Sequence, residues 1–112
     1  MDKVKVFTLG YFPFTMGGDV WQPISIEVEA DGPHDLGDGY KGYVVTAPNG
    51  KTFIAEATSG AFVGPDLETV KTDIKLGDKE MMTNQVAAAV KQSKQAKDLT
   101  PEKFWSMLKC NK

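Results

Sequence analysis

Arginine is missing from this chain: all thirteen basic residues are lysine. The planar guanidinium fork is the usual means of bidentate phosphate and guanine contact, so its absence argues against sequence-specific nucleic-acid binding. A lysine-mediated nucleic-acid binder is therefore only the third reading of function, and Lys91, Lys94 and Lys97 are better read as a solvated helix face. Cysteine is nearly absent as well. Cys110 stands alone, which excludes an internal disulfide and fits a reducing, cytoplasmic setting. No apolar run reaches the roughly 20 residues of a membrane span, and the start Met1-Asp2-Lys3-Val4-Lys5 lacks a signal-peptide core.

Histidine occurs once, at His34, and zinc asks for more nitrogen or sulfur ligands than that. A hydrolase built on it would need a positioned nucleophile, but Ser25, Ser59, Ser93, Ser106 and Cys110 lie in no G-x-S-x-G elbow. The glycines form neither G-x-G-x-x-G nor a phosphate-binding loop and read as turn and bulge residues. The carboxylates of Asp31, Asp35 and Asp38 lack the spacing of a calcium-binding EF-hand loop. These absences lead to an expectation of no catalysis, no metal and no cofactor.

What is present is a strong structural pattern over 40–74. Two apolar runs flank Ala47-Pro48-Asn49-Gly50. Proline has no N–H for a ladder, so a two-residue Asn-Gly hairpin is a poor fit. A type I turn with Gly50 in the left-handed position suits these residues and pairs Val45 with Phe53 and Tyr43 with Ala55. One face then carries Tyr43, Val45, Phe53, Ala55 and Ala57; the other carries Val44, Thr46, Thr52, Ile54 and Glu56. Ala61-Phe62-Val63 reads as a short edge strand. A helix follows, with Pro65 in its first turn, Leu67, Val70 and Ile74 at helical spacing, and Gly77 as its stop. This order of strand, turn, strand and Pro65-Asp66-Leu67-Glu68-Thr69-Val70 is loosely similar to the sheet-then-helix layout of HicB-type antitoxins. The similarity covers only 40–74 and differs at the start of the helix, so it identifies no family.

Upstream, Lys3 to Leu9 reads as a first strand broken by Gly10. Ile24 to Ala30 reads as a second, with Ile24, Ile26, Val28 and Ala30 inward and Ser25, Glu27 and Glu29 outward. The stretches 11–21 and 31–39 read as loops, the first aromatic and the second rich in Asp and Gly. From Asp78 the apolar residues Met82, Val86, Ala89, Val90, Ser93 and Ala96 form a helical stripe. Thr100-Pro101 restarts a helix whose apolar side is Phe104, Trp105 and Leu108.

One domain over 1–112 is expected, mainly β over 1–64 and mainly α over 65–112. The fold class is α+β, an antiparallel sheet of about four strands covered on one face by two or three C-terminal helices. The net charge of −2 is segregated: residues 1–70 carry four lysines against ten acids, and 71–112 nine lysines against five acids. The expected function is protein binding by a small adaptor, antitoxin or inhibitor-like protein of the kind carried by phage and mobile elements, its partner another protein or its own copy. Tyr11, Phe12, Phe14, Met16 and Trp21 would anchor that interface, since aromatics and methionine dominate interface cores. Glu27, Glu29, Asp31, Asp35 and Asp38 would form its polar rim. The competing explanation for the aromatics is that they fill the core beside Phe104 and Trp105. The competing function is a ligand-binding or enzymatic pocket between sheet and helices that uses His34.

Overall fold

A computed structural model describes the backbone of residues 2–14, 18–77 and 79–107, and their side chains apart from those of 11–14, 18–21, 79, 81 and 82. Six strands precede or interleave with three helices: β1 (Asp2–Phe14), β2 (Gly18–Gly37), β3 (Tyr40–Thr46), β4 (Thr52–Glu56), β5 (Phe62–Gly64), α1 (Leu67–Leu76), α2 (Lys79–Lys94), β6 (Lys97–Asp98) and α3 (Pro101–Met107). The strands β1 to β5 run as an antiparallel meander, with β6 joining the outside of β2 in parallel. This is the expected α+β fold with helices after strands, in a somewhat larger sheet.

The sheet curls until its ends meet. The Phe7 N–H donates to the Gly60 carbonyl at 2.9 Å, and Phe7 bridges Ala61 in parallel. Gly60 permits this approach. Its φ is +77°, and a Cβ there would run into the Lys5 carbonyl, so only glycine serves.

The turn at 47–50 has the anticipated form. Gly50 N–H donates to Ala47 O at 2.9 Å, Ala47 N–H donates to Lys51 O at 2.8 Å, and Gly50 takes φ +88°. Val45 faces Phe53 and Tyr43 faces Ala55. Both faces of this hairpin are used. Val45 and Ala55 join Val6, Ile24, Ile26, Ala30, Phe104 and Trp105 in the main core, with Tyr43 and Phe53 packed on it. Ile54 turns the other way to meet Leu36, Val70 and Ile74, so α1 lies on the opposite side from α3, which corrects the expectation that the helices cover one face of the sheet. Ala57, expected with the first face, is exposed.

Two expectations at strand ends are corrected. Gly10 does not break β1, which runs on to Phe14. Gly10 is instead the place where β1 clears the Ile24 side chain, which a Cβ would strike. The stretch 31–39 is not a free loop either. β2 continues to Gly37 and pairs with β3 through two register shifts, which absorb the glycines and the cis Gly32–Pro33 peptide.

The helix signals hold with one shift. Asp66 rather than Pro65 starts α1, its carboxylate accepting the Thr69 N–H at 2.7 Å, and Gly77 ends it. Thr100 caps α3 by accepting from Lys103 N–H. Phe104 and Trp105 close one end of the main core against Phe53 and Phe62. Phe104 meets Trp105 edge-on at 5.0 Å, and Phe53 stacks on Phe62 at 4.9 Å.

Candidate functional site

Residues 11–14 and 18–21 are the end of the β1–β2 hairpin rather than part of a loop. The register sets Tyr11 opposite Trp21, Phe12 opposite Val20 and Phe14 opposite Gly18. Among the described residues the last bridge from β1 to a strand other than β2 is at Phe7, and β2 pairs with β6 at Ile24 and Ser25. Among the described residues, then, the hairpin runs from Leu9 and Pro23 to its tip as a two-stranded ribbon. At about 3.4 Å per residue, Leu9 to Phe14 spans about 17 Å. The side chains of Tyr11, Phe12, Phe14 and Trp21, and Met16 altogether, lie outside the described residues.

The five acids expected at the rim are all exposed. Glu27 and Glu29 alternate along the outer face of β2, opposite Lys5 and Lys3 of β1. Asp31 continues that line and pairs with His34, whose Nε2 lies 3.0 Å from Asp31 Oδ2. Asp35 accepts from the Gly37 N–H at 3.1 Å, and Asp38 takes φ +52° in the turn to β3. Four of the acids are therefore spread along β2, and Asp38 lies in the turn that follows it. Among the described residues no three His, Cys, Asp or Glu converge as metal ligands.

Three further features stand out, two of them polar clusters that were not singled out in the sequence. Ser25 is 1% exposed on the face read as wet, because β6 covers it. Its hydroxyl donates to Asp98 Oδ1 at 2.6 Å, and Lys5 Nζ stands 3.0 Å from the same oxygen. The Ser25 hydroxyl, then Lys5, holds the Asp98 carboxyl below its ordinary range. The Leu99 N–H donates to the Ser25 carbonyl, so this cluster ties the α2–α3 connection to the sheet.

Glu56 is the second. It is 3% exposed, and its carboxylate accepts from the Thr58 N–H, the Ser59 N–H and the Ser59 hydroxyl at 2.8–2.9 Å. A buried carboxylate needs such donors, and here they shape the turn that delivers Gly60 to β1. The spacing Glu56-x-Thr58-Ser59 was the available signal, masked by the reading of this face as merely mixed. Glu56 and Ser59 also border the third feature, a small pocket of about 50 Å³ under α2. Leu36, Tyr40, Val70, Ile74, Val86 and Ala89 supply its apolar walls, and His34 is not among its lining residues.

Comparison with family models, with curated proteins and with solved structures finds no match to this chain.

Proposed function

We propose that this protein acts by binding another protein, as an adaptor, antitoxin or inhibitor does, with the β1–β2 ribbon as its inserting element. The observation behind this reading is the ribbon itself. The hairpin continues past the point where any other described strand supports it, and there the sequence places Tyr11, Phe12, Phe14, Met16 and Trp21. A two-stranded ribbon alone is marginal in water, and large aromatics on it lose most by staying hydrated. A partner would supply cover for them. Glu27, Glu29 and Asp31 lie farther along β2, with Asp35 near its other end and Asp38 in the turn beyond it, and these exposed acids favour a basic partner surface, chiefly through its association rate.

The pocket under α2 supports the competing ligand-binding reading less well. Its volume of about 50 Å³ holds only a water or two as it stands.

The test is capture of a partner from the native host with the full chain, repeated with Phe12→Ala and Trp21→Ala. Each is expected to weaken binding by about 2 kcal/mol or more while the melting temperature stays within a few degrees. A sharp fall in melting temperature with both would make them core residues and end this reading.

A further inference from the structure

Where the curled sheet closes on itself, an open cleft remains between β1, the turn at 57–60 and the last turn of α2. Its volume is about 340 Å³, within the range of small-molecule sites and well above that of the pocket under α2. β1 contributes Lys5 and Phe7 to it, the turn Ala57 and Thr58, and α2 Ser93 and Lys94.

The polar groups of the cleft decide what it can hold. Four hydroxyls border it, and three are spent. Ser25 donates to Asp98 Oδ1, Ser59 to Glu56 Oε1 and Ser93 to the Val90 carbonyl. The backbone N–H groups of 57–60 are taken as well, by the Lys41 carbonyl and by Glu56. The Gln92 and Ser93 carbonyls at the end of α2 are occupied by the Gln95 and Ala96 N–H groups. The donors left over are the exposed Thr58 hydroxyl, the Lys94 ammonium and those N–H groups of Lys5 that Asp98 does not use.

Charge narrows the choice further. Lys5 is balanced by Asp98 at 3.0 Å, whereas Lys94 forms no ion pair among the described residues. One positive charge is thus unmatched, and it calls for a single negative one. A dianion such as phosphate would bring a second negative charge up to the Asp98 carboxylate beside Lys5. It would also leave the apolar surface of Phe7 and Ala57 uncovered.

We infer that this cleft binds a small organic acid, its carboxylate on Lys94, Thr58 and Lys5 and its apolar body along Phe7 and Ala57. The class of ligand follows from the donors left over, independently of the protein-binding role proposed for the ribbon. Such a ligand ties the end of α2 to β1 and to the turn. α2 gains most from a tie of this kind, because none of its described side chains is fully buried.

The experiment is titration of the full chain with benzoate, acetate and inorganic phosphate at constant ionic strength. Backbone amide NMR shifts are the first readout and deuterium exchange in α2 the second. Benzoate is expected to saturate with a Kd in roughly the millimolar range, shifting the amides of 57–60 and 93–95 and slowing exchange in α2. Acetate, which lacks the apolar body, should bind about fivefold more weakly or worse, and phosphate should give no saturable shift there. Lys94→Gln should weaken benzoate binding about fivefold or more at an unchanged melting temperature. Lys91→Gln, on the same helix but outside the cleft lining, should bind as the wild type does. The absence of any saturable benzoate shift up to about 50 mM overturns the site. So does phosphate binding there in place of benzoate. Equal losses from Lys94→Gln and Lys91→Gln also overturn it, because they would reduce the attraction to the general field of the lysine face.

Discussion

The three helices divide the work of stability unevenly. α1 has ten residues and buries Val70 and Ile74; α3 has seven and buries Phe104 and Trp105. α2 has sixteen residues, yet among its described side chains none is fully buried. Val86, Ala89, Val90 and Ser93 are half-covered, and Ala87 and Ala88 face water. Helix length and packing are thus nearly inverse here. Short helices are marginal in isolation and persist through the apolar surface they bury. α3 is held by two aromatic rings against Phe53 and Phe62, whereas α2 lies over a small apolar pocket and touches the sheet through contacts such as Tyr40–Thr83, hydroxyl to hydroxyl at 3.1 Å. The longest helix is the least embedded one.

The sharpest way to break this comparison is at α3. Phe104→Ala should cost about 3–5 kcal/mol in denaturant unfolding, since Phe104 is fully buried and its neighbours cannot collapse into the space. A loss under about 1 kcal/mol would mean that α3 is dispensable. The same deletion on α2 should cost far less. Val90→Ala is expected to lose at most about 1 kcal/mol, and backbone amides of α2 should exchange with deuterium before those of α1. Slower exchange in α2 than in α1 would reverse the ordering.

The smallest effect is a pH dependence. The Asp66 carboxyl is held below its ordinary range by the Thr69 N–H, and the Asp98 carboxyl by the Ser25 hydroxyl and Lys5. A depressed native pKa gives stability that is present above the unfolded value and lost as pH falls through the native one. Melting temperature should therefore drop on the acid side, below the ordinary Asp range. Asp66→Asn should flatten that drop modestly, because asparagine still caps a helix but does not titrate. Both carboxyls are solvent-exposed, so the change is small and weakens with salt.

The hairpin at 40–56 was legible because a proline, an asparagine and a glycine fix one turn type, and the turn fixes which residues share a face. The α2 stripe was legible for a similar reason: Val86, Ala89, Val90 and Ser93 recur at helical spacing and are half-covered, although Ala96, expected to extend the stripe, falls past the end of the helix, and the Met82 side chain lies outside the described residues. Gly10 misled because a glycine that ends a strand and one that lets a strand clear a neighbour look alike in one dimension. The difference lies in Ile24, fourteen positions away. The stretch 31–37 misled because Asp and Gly favour turns locally, while β3 offers that backbone a ladder it cannot find alone.

Local chemistry therefore determined the elements, the turn at 47–50, the helix caps and the class of the fold. These depend on residues within a few positions of one another, where torsional preference and hydrogen-bond capacity act directly. Only the assembled chain decided that the sheet would curl until Gly60 met Phe7, that Ser25 and Glu56 would be buried with polar partners, and that β1 and β2 would run on past that junction as a ribbon. Each of those joins residues distant in sequence, and nothing near any one of them states which partner the other will be.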